Sequence, residues 1–300
     1  MSHILSLIDF YEKFKIEEDC FNYLVAVRWT NGFFCPKCGC TRVYLLKSRA
    51  LFQCKACRHQ TSVTAGTIFH KLRQPLHKLF MAVYLFATSK KGISAMELQR
   101  KLGFRTYRTA WTLLHKLRKA MTSSGLSLLT DQVEVDETYI GGYRPGKPGR
   151  GAEDKDLVVV AVETTSNDNL GKAYLKQIPE ASSEVLGKFV HDHVRKGTML
   201  KTDGFASYCH LSGDYDHQPH PQGVPQNAGK LLPKVHIVIG NLKSWLRGTF
   251  NRYPSSRYLS AYLTEFEFRF NRRWNLAGIF DKLLKCCIHA DKVTLAELMA

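Results

Sequence analysis

The sequence lacks long hydrophobic runs and is short of acidic residues. Its longest apolar stretch covers only residues 79–87, whereas a transmembrane helix needs roughly 20 apolar residues. The chain also opens without the charged and apolar segments of a secretion signal, so we expect neither a membrane-spanning nor a secreted protein. The 26 acidic residues stand against 43 lysines and arginines, and the net charge of +17 favours a polyanionic partner. Without membrane features, we predict nucleic acid as that partner.

Length and composition are those of a soluble globular protein with more than one domain. A chain of 300 residues is long enough for two or three domains, and 44% hydrophobic with 23% charged residues excludes a largely disordered protein. The nine cysteines are an odd number without a secretion signal, which indicates a reducing cytosol where cysteines are free or bound to metal. We therefore expect a cytoplasmic protein that associates with the nucleoid.

Two Cys-x-x-Cys pairs, Cys35 with Cys38 and Cys54 with Cys57, are separated by fifteen residues. Each pair can present two thiolates from one tight turn, and two such turns complete a closed tetrahedral zinc site. A redox Cys-x-x-Cys needs only one pair and normally a surrounding βαβ unit, which this segment does not offer. We predict a zinc ribbon over residues 30–68, in which four thiolates leave the zinc no open position and make it structural.

Other cysteines and histidines give weaker metal signals. Cys40 is a near neighbour of the first pair and could replace Cys38 as a ligand. A looser cluster lies in and beside a stretch rich in Pro, Gly and His, which we predict to be a long loop over residues 212–234: Cys209, His210, His217 and His220. Solvated loop histidines explain this cluster better than a second metal site does.

After an N-terminal helical segment, residues 1–29, and the ribbon, residues 72–122 show the pattern of three helices with short connections. Ser94 and Glu97 predict a capping box at the start of the second helix. A basic face begins just before the third helix, and we predict that it contacts DNA through Arg105, Arg108, Thr112 and Lys116. This arrangement fits a helix-turn-helix with the third helix in the major groove. The alternative is an ordinary helical bundle with a solvated cationic face, but the short turn and the net charge favour DNA.

From residue 131 the pattern changes to strands, and we predict a mixed α/β domain over residues 131–274, followed by a C-terminal helical tail over residues 275–300. The Val-rich residues 156–163 fit a strand that is buried on both faces. Residues 235–239 are predicted as a further short strand. A cationic loop between the first two strands contains Arg144, Lys147 and Arg150. This loop is suited to binding phosphates, or it is merely a solvated hairpin tip.

Two aspartates belong to apolar strands of this half. Asp136 lies within the apolar run 133–140, and Asp203 ends the run 198–203. A carboxylate in a buried strand is costly unless a cation neutralises it. Two such carboxylates in one sheet could hold a divalent metal ion against a phosphodiester. Asp203-Gly204 alone is also a common turn pair, whereas Asp136 has apolar neighbours on both sides.

Several segments follow one another in the order of a known family. They are Arg28-Trp29 with Gly32 and the first cysteine pair, residues 135–142 (VDETYIGG), residues 202–204 (TDG) and residues 265–273 (EFEFRFNRR). Over nearly its whole length the chain resembles the bacterial insertion-sequence transposases that combine an N-terminal zinc ribbon with an ISXO-like DDE recombinase domain. The resemblance implies a multidomain α+β protein, in which a zinc ribbon and a helix-turn-helix precede an RNase H-like mixed α/β catalytic domain.

The resemblance also implies a catalytic site. Its first two acids correspond to Asp136 and Asp203, and its third position falls on Asn241, where a DDE enzyme would have Glu. Asn241 is either a working neutral ligand, through its amide oxygen, or the mark of a weakened copy. Lys243 follows on the same helix and could contact a phosphate, although it could equally be an ordinary surface lysine. Two acids of a later helix are the fallback ligands: Glu265 and Glu267.

The function that the resemblance implies is DNA transposition. The protein would bind the ends of its insertion sequence, cleave the DNA and join the 3′ ends to target DNA, with two Mg²⁺ ions that Mn²⁺ could replace. DNA would be its partner, with a homodimer or higher oligomer assembled on it. The alternative is a DNA-binding regulator with the same ribbon and helix-turn-helix and an inactive or purely nucleolytic RNase H-like domain.

Overall fold

The computed structural model describes residues 5–122, 125, 127–142, 155–221, 228–251 and 253–299. The chain divides into two compact units, residues 1–124 with 275–300, and residues 125–274. The segment 275–300, predicted as a separate tail, instead belongs to the first unit, where its helices pack against earlier ones. Across the described ranges, no helix is both long enough and apolar enough to cross a membrane.

The first unit combines helices with a small sheet. Its elements, numbered along the whole chain, are α1 (Leu7–Lys13), α2 (Glu17–Arg28), β1 (Val43–Leu46), β2 (Leu51–Cys54), β3 (Gln60–Ser62), α3 (Leu76–Thr88), α4 (Ala95–Leu102), α5 (Tyr107–Met121), α10 (Ile279–His289) and α11 (Leu295–Met299). The three strands form an antiparallel sheet in the order β1-β2-β3. Helix α10 packs against α2, α3 and α5, so residues far apart in sequence build one core.

Phenylalanines fill the centre of this helical core. The ring centroids of Phe10 and Phe14 lie 5.1 Å apart, and Phe14 lies 4.9 Å from Phe80 of α3. Phe280 of α10 lies 5.7 Å from both Phe10 and Phe14. All four side chains are buried, and aromatic pairs at these separations add to the free energy gained from burial.

The predicted helices of residues 72–122 are confirmed as α3, α4 and α5. Helix α4 begins at Ser94, whose side chain accepts a hydrogen bond from the backbone N of Glu97 at 3.2 Å. Gly103 ends the helix with φ +59°, a conformation that favours glycine. Helix α5 begins at Thr106, whose side chain accepts from the backbone N of Thr109 at 3.3 Å. Capping residues therefore define the short connection between α4 and α5.

The second unit is a mixed sheet with helices on both faces. Its elements are β4 (Gln132–Ile140), β5 (Asp156–Thr164), β6 (Leu170–Ile178), α6 (Ser183–His193), β7 (Met199–Thr202), a 3-10 helix (Ala206–Gly213), β8 (Asp216–Pro219), α7 (Ala228–Leu231), α8 (Pro233–Phe250) and α9 (Ser256–Phe270). The sheet order is β6-β5-β4-β7-β8. Strands β4, β5 and β6 pair antiparallel, whereas β4, β7 and β8 pair in parallel. This is the RNase H-like mixed α/β arrangement that the resemblance implies.

Strand β5 is buried on both faces, as its Val-rich sequence predicts. Val158 and Val160 pack with residues of α8 and α9, and Val159 packs with residues of α6 on the opposite face. The predicted strand at residues 235–239 is wrong, because this segment is part of α8. Its apolar residues recur at helical spacing and are buried against the sheet: Val235, Val238, Ile239, Leu242 and Leu246. The predicted loop over residues 212–234 also contains β8 and α7.

Side chains of α9 and of the residues after it line the outer edge of β6. The amide of Asn271 accepts from the backbone N of Ala173 and donates to its carbonyl, both at 2.8 Å. Glu267 accepts from the backbone N of Leu175 at 3.1 Å, and Arg273 donates to the carbonyls at the start of β6. These side chains take the hydrogen bonds that a further strand would otherwise make at this edge.

Candidate active site and zinc site

The register of the sheet brings the two predicted aspartates together. Strands β4 and β7 pair in parallel as far as Glu134↔Lys201, and two further residues along each strand set Asp136 beside Asp203. Carboxylate oxygens of Asp136, Glu137 and Asp203 all lie within 4.8 Å of one another. Oxygens this close can share a divalent cation, which carboxylates bind at about 2.0–2.6 Å.

Local hydrogen bonds hold both aspartates in place. Asp136 is only 7% exposed, and its Oδ1 accepts from the backbone N of Glu137 at 2.8 Å. Asp203 Oδ1 accepts from the backbone N of Phe205 at 3.0 Å, which closes the turn after β7. Gly204 in this turn has φ +78°, and a Cβ there would meet Pro221 at 3.2 Å, so the turn needs glycine. The turn interpretation of Asp203-Gly204 and its place in an acidic site are therefore compatible.

His236 of α8 completes the site, and the sequence analysis missed it. Its Nε2 lies 3.4 Å from Asp136 Oδ2. This nitrogen is buried and has no hydrogen-bond partner within the described residues. Burial and the charge of Lys243 lower the pKa of His236 below its ordinary value, which favours the neutral ring that binds metals. A buried nitrogen without a partner beside two close carboxylates fits a metal site.

Asn241, the predicted third ligand, lies on a different face of α8. Positions five apart on a helix are rotated by about 140°, whereas positions seven apart, such as His236 and Lys243, nearly coincide. Asn241 is exposed, while Lys243 is half-buried near Asp136, whose charge partly offsets the lowering of the lysine pKa by burial. Of the two residues, His236 is the one that lies beside the carboxylate of Asp136. Helix α8 starts at Pro233, so His236 and Lys243 share one helix face. A strand over residues 235–239 would not place them on a common face.

Glu134 attaches α8 to the strand that carries Asp136. Its carboxylate is 2% exposed and accepts from the backbone N of Val235 at 2.9 Å. Burial raises the pKa of Glu134, and the N–H groups of Val235 and Lys234 counteract that rise. These N–H groups belong to the first turn of a helix, where they lack partners within the helix. Glu134 therefore fixes Val235, the neighbour of His236, to strand β4. Glu134 itself lies two residues before Asp136 on that strand.

The two fallback acids of α9 have other partners and do not reach this site. Glu265 is fully buried, and its Oε1 accepts from Arg269 Nε at 2.9 Å. Glu267 binds the backbone of β6, as described above. Burial raises the pKa of Glu267 to about 7, which the N–H of Leu175 partly counteracts. Neither acid belongs to the carboxylate group around Asp136 in the described structure.

The four predicted cysteines converge into a zinc-sized group. Their Sγ atoms all lie within 4.8 Å of one another, with Cys35 to Cys57 and Cys38 to Cys54 at 3.6 Å. The backbone N–H of Cys57 lowers the pKa of Cys54 to about 6, which favours the thiolate that binds zinc. The alternative ligand Cys40 is outside this group. Four thiolates fit a closed, structural zinc site.

The predicted DNA contacts fall into three groups. Arg105 and Arg108 are exposed around the start of α5, and Thr112 is half-buried. Lys116 is wrong as a DNA contact, because its side chain is 4% exposed and its Nζ donates to the carbonyl of Ile68 at 2.8 Å. The three basic residues of the predicted loop lie outside the described residues: Arg144, Lys147 and Arg150.

Within the described residues, Cys209 and the histidines of the predicted loop do not form a group with metal-binding spacing. His217 lies in β8, where its Nε2 is 2.9 Å from Thr202 Oγ1 and its Nδ1 is 3.4 Å from Ser212 Oγ. Cys209 is exposed. In the described parts of the chain, only the cysteine group and the carboxylate group have metal-binding spacing.

Comparison with known proteins finds matches to the two segments that carry these groups. Residues 15–60 match a transposase zinc-ribbon domain, and residues 128–271 match an ISXO2-like transposase domain. A protein of transposable element ISH50 from Halobacterium salinarum is 25% identical over 278 residues, covering 85% of this chain and 91% of that protein.

Two solved structures of Mos1 transposase show a weaker likeness. The paired-end complex with the left transposon end has 10% identity and a TM-score of 0.29, and covers 71% of this chain and 80% of its own. The pre-cleavage transpososome has 11% identity and a TM-score of 0.28, covering 72% and 79%. TM-scores this low carry no structural argument. The chain carries, in order, a segment similar to a transposase zinc-ribbon domain and a segment similar to an ISXO2-like transposase domain.

Proposed function

We propose that this transposase binds the ends of its insertion sequence, cleaves the DNA there and joins the 3′ ends to target DNA by phosphoryl transfer. The observation that carries the proposal is the meeting of Asp136, Asp203 and His236 at one end of the paired strands β4 and β7. Three potential ligands from two strands and one helix form a small, partly buried site beside a lysine, as phosphodiester chemistry requires.

Divalent metal ions fit this site through the carboxylates of Asp136 and Asp203 and the Nε2 of His236. We propose two Mg²⁺ ions, which Mn²⁺ could replace. Held by these three residues, the ions would supply a lowered pKa for an attacking water or hydroxyl and positive charge for the leaving 3′ oxygen. Lys243 lies on the same helix face as His236, and its ammonium group would hold a phosphate of the bound strand.

We propose that α4 and α5 bind DNA as a helix-turn-helix and that the zinc ribbon contributes to this binding. Arg105, Arg108 and Thr112 lie around the exposed start of α5, where a major groove could receive them. The basic loop with Arg144 and Lys147 adds cations close in sequence to β4. A net charge of +17 supports strong contacts to phosphates. We further propose that a homodimer or higher oligomer assembles on the DNA, at the nucleoid in the cytoplasm.

The test compares wild-type protein with three variants on a duplex that carries the inverted repeats flanking its gene. Asp136→Asn and Asp203→Asn should bind the duplex as wild type does but yield no cleavage or joining products in Mg²⁺ or Mn²⁺. Asp192→Asn, an exposed carboxylate on α6, is the matched control and should keep full activity.

Each alternative leaves its own pattern in the same assay. A wild-type protein that binds the repeats but cleaves in neither metal is a regulator. Cleavage without joined products indicates a nuclease. Wild-type cleavage by Asp136→Asn or Asp203→Asn would refute the proposed site.

A further inference from the structure

We infer that Glu137 is a third carboxylate ligand of the metal site and that the buried phenol of Tyr208 positions it. The inference rests on the proposed function, because it concerns the same metal site. It extends that site to a residue that the pattern of two acids and a third helical ligand does not include.

The first support is geometric. Glu137 follows Asp136 on β4, and its carboxylate lies within 4.8 Å of those of both Asp136 and Asp203. Strand alternation turns its stem away from α8 towards the opposite face, yet the carboxylate still reaches the end of the sheet where Asp203 lies. Glu137 is half-buried, which limits the number of conformations that its side chain can adopt.

The second support is the way in which this carboxylate is held. The hydroxyl of Tyr208 donates a short hydrogen bond to Glu137 Oε1. Tyr208 is fully buried in the 3-10 helix that follows Asp203, which restricts the positions that its hydroxyl can adopt. A carboxylate has about four acceptor positions, so this hydrogen bond is compatible with metal binding through the same group. Ligand carboxylates are characteristically oriented by such outer hydrogen bonds.

The third support is charge. A histidine in the third position brings no negative charge, so Asp136 and Asp203 would be the two carboxylates that balance divalent cations. Lys243 adds a positive charge nearby. Glu137 supplies the negative charge that the third position lacks, and the number of carboxylates strongly affects divalent metal affinity. The competing explanation is structural: the Glu137–Tyr208 bond would only fasten the 3-10 helix to the sheet.

Calorimetric titration of the full-length protein with Mn²⁺, without DNA, separates these explanations. Glu137→Gln removes the charge, and we expect Mn²⁺ binding to weaken at least tenfold. Tyr208→Phe removes only the hydroxyl, and loss of an outer hydrogen bond of this kind should cost about 10- to 100-fold in affinity. Asp192→Asn is the control and should bind as wild type.

The outcomes distinguish this inference from the proposed function. If Glu137→Gln and Tyr208→Phe bind Mn²⁺ as wild type while Asp136→Asn and Asp203→Asn lose binding, the inference is overturned and the proposed site stands. If all four variants bind as wild type, the proposed site fails as well.

Thermal melts of the same variants test the structural explanation. A Tyr208→Phe protein that melts earlier but binds Mn²⁺ as wild type shows that the bond is structural only. If Glu137→Gln does not fold, Glu137→Asp replaces it, because it keeps the charge and withdraws the carboxylate from Tyr208. Weaker Mn²⁺ binding by the aspartate variant supports the inference, and unchanged binding contradicts it.

Discussion

Replacing His236 should abolish DNA cleavage, whereas Asn241→Ala should leave it close to wild type. The Nε2 of His236 lies 3.4 Å from Asp136 Oδ2 and is buried without a described hydrogen-bond partner. Asn241 is exposed and lies about 140° further round α8. The two residues therefore form a matched pair on one helix, one of which faces the carboxylates.

The size of the effect follows from the role of a ligand. Losing a partner that merely orients a ligand already costs about 10- to 100-fold, so His236→Ala should slow cleavage by about 100-fold or more. This corresponds to about 2.7 kcal/mol in the activation free energy. His236→Glu should keep cleavage and need less Mg²⁺ for half-maximal rate, because it adds a negative charge. Without metal, the same variant should be less stable, because it adds a further negative charge to a group of carboxylates that already lie close together.

A Mg²⁺ titration of end cleavage with wild type, His236→Ala, His236→Glu and Asn241→Ala decides the matter. Calorimetric Mn²⁺ binding by the same proteins shows whether a lost rate comes from lost metal. Loss of cleavage in Asn241→Ala with retention in His236→Ala would refute the assignment and restore the ligand first predicted from the sequence.

Three further predictions concern zinc, DNA and pH. Metal analysis should find about one zinc per chain, lost together with the ribbon structure in a Cys54→Ser, Cys57→Ser double variant; retained zinc would contradict the ribbon. Affinity for the repeats should fall steeply with salt and weaken in Arg108→Ala, whereas Lys116→Met should lower the unfolding temperature and leave the salt dependence unchanged. For Glu267, the pKa rises from 4.5 to about 7 on folding, so the folded state holds more protons in this interval and stability should fall as pH rises through it. Glu267→Gln should therefore gain on the order of 2–3 kcal/mol over wild type in urea unfolding at pH 8 and little at pH 4.5; equal gains at both values would exclude this titration.

The strands and their acids could be predicted because their signals are local. The valines of β5 and the apolar neighbours of Asp136 indicate burial without any knowledge of tertiary contacts. Helix α8 could not be assigned in the same way, because residues 235–239 (VHIVI) are mostly β-branched and look like a strand. The bond from Glu134 to the first turn of α8 is a contact across about a hundred residues, and periodicity cannot show it. Pro233, at a position that favours helix starts, was the available signal.

Lys116 shows the same limit on the DNA-binding side. Helical periodicity groups it with Arg108, but residues 113–118 of α5 are buried. Helices α10 and α11, which come more than 150 residues later, pack against α5. The local sequence contains no signal for these packing contacts. The row of basic residues along α5 therefore predicts a larger DNA-binding surface than the structure exposes.

The side chains that line the β6 edge stabilise the sheet and take no part in the proposed metal site. Asn271, Glu267 and Arg273 belong to the segment that identifies the family most readily, yet their bonds serve the sheet and none reaches the carboxylates. An element copy that has lost Asp136 or His236 would keep this segment for as long as its product must fold. Under the proposed function, this segment would indicate descent among related genes, whereas loss of Asp136 or His236 would mark a copy that can no longer move.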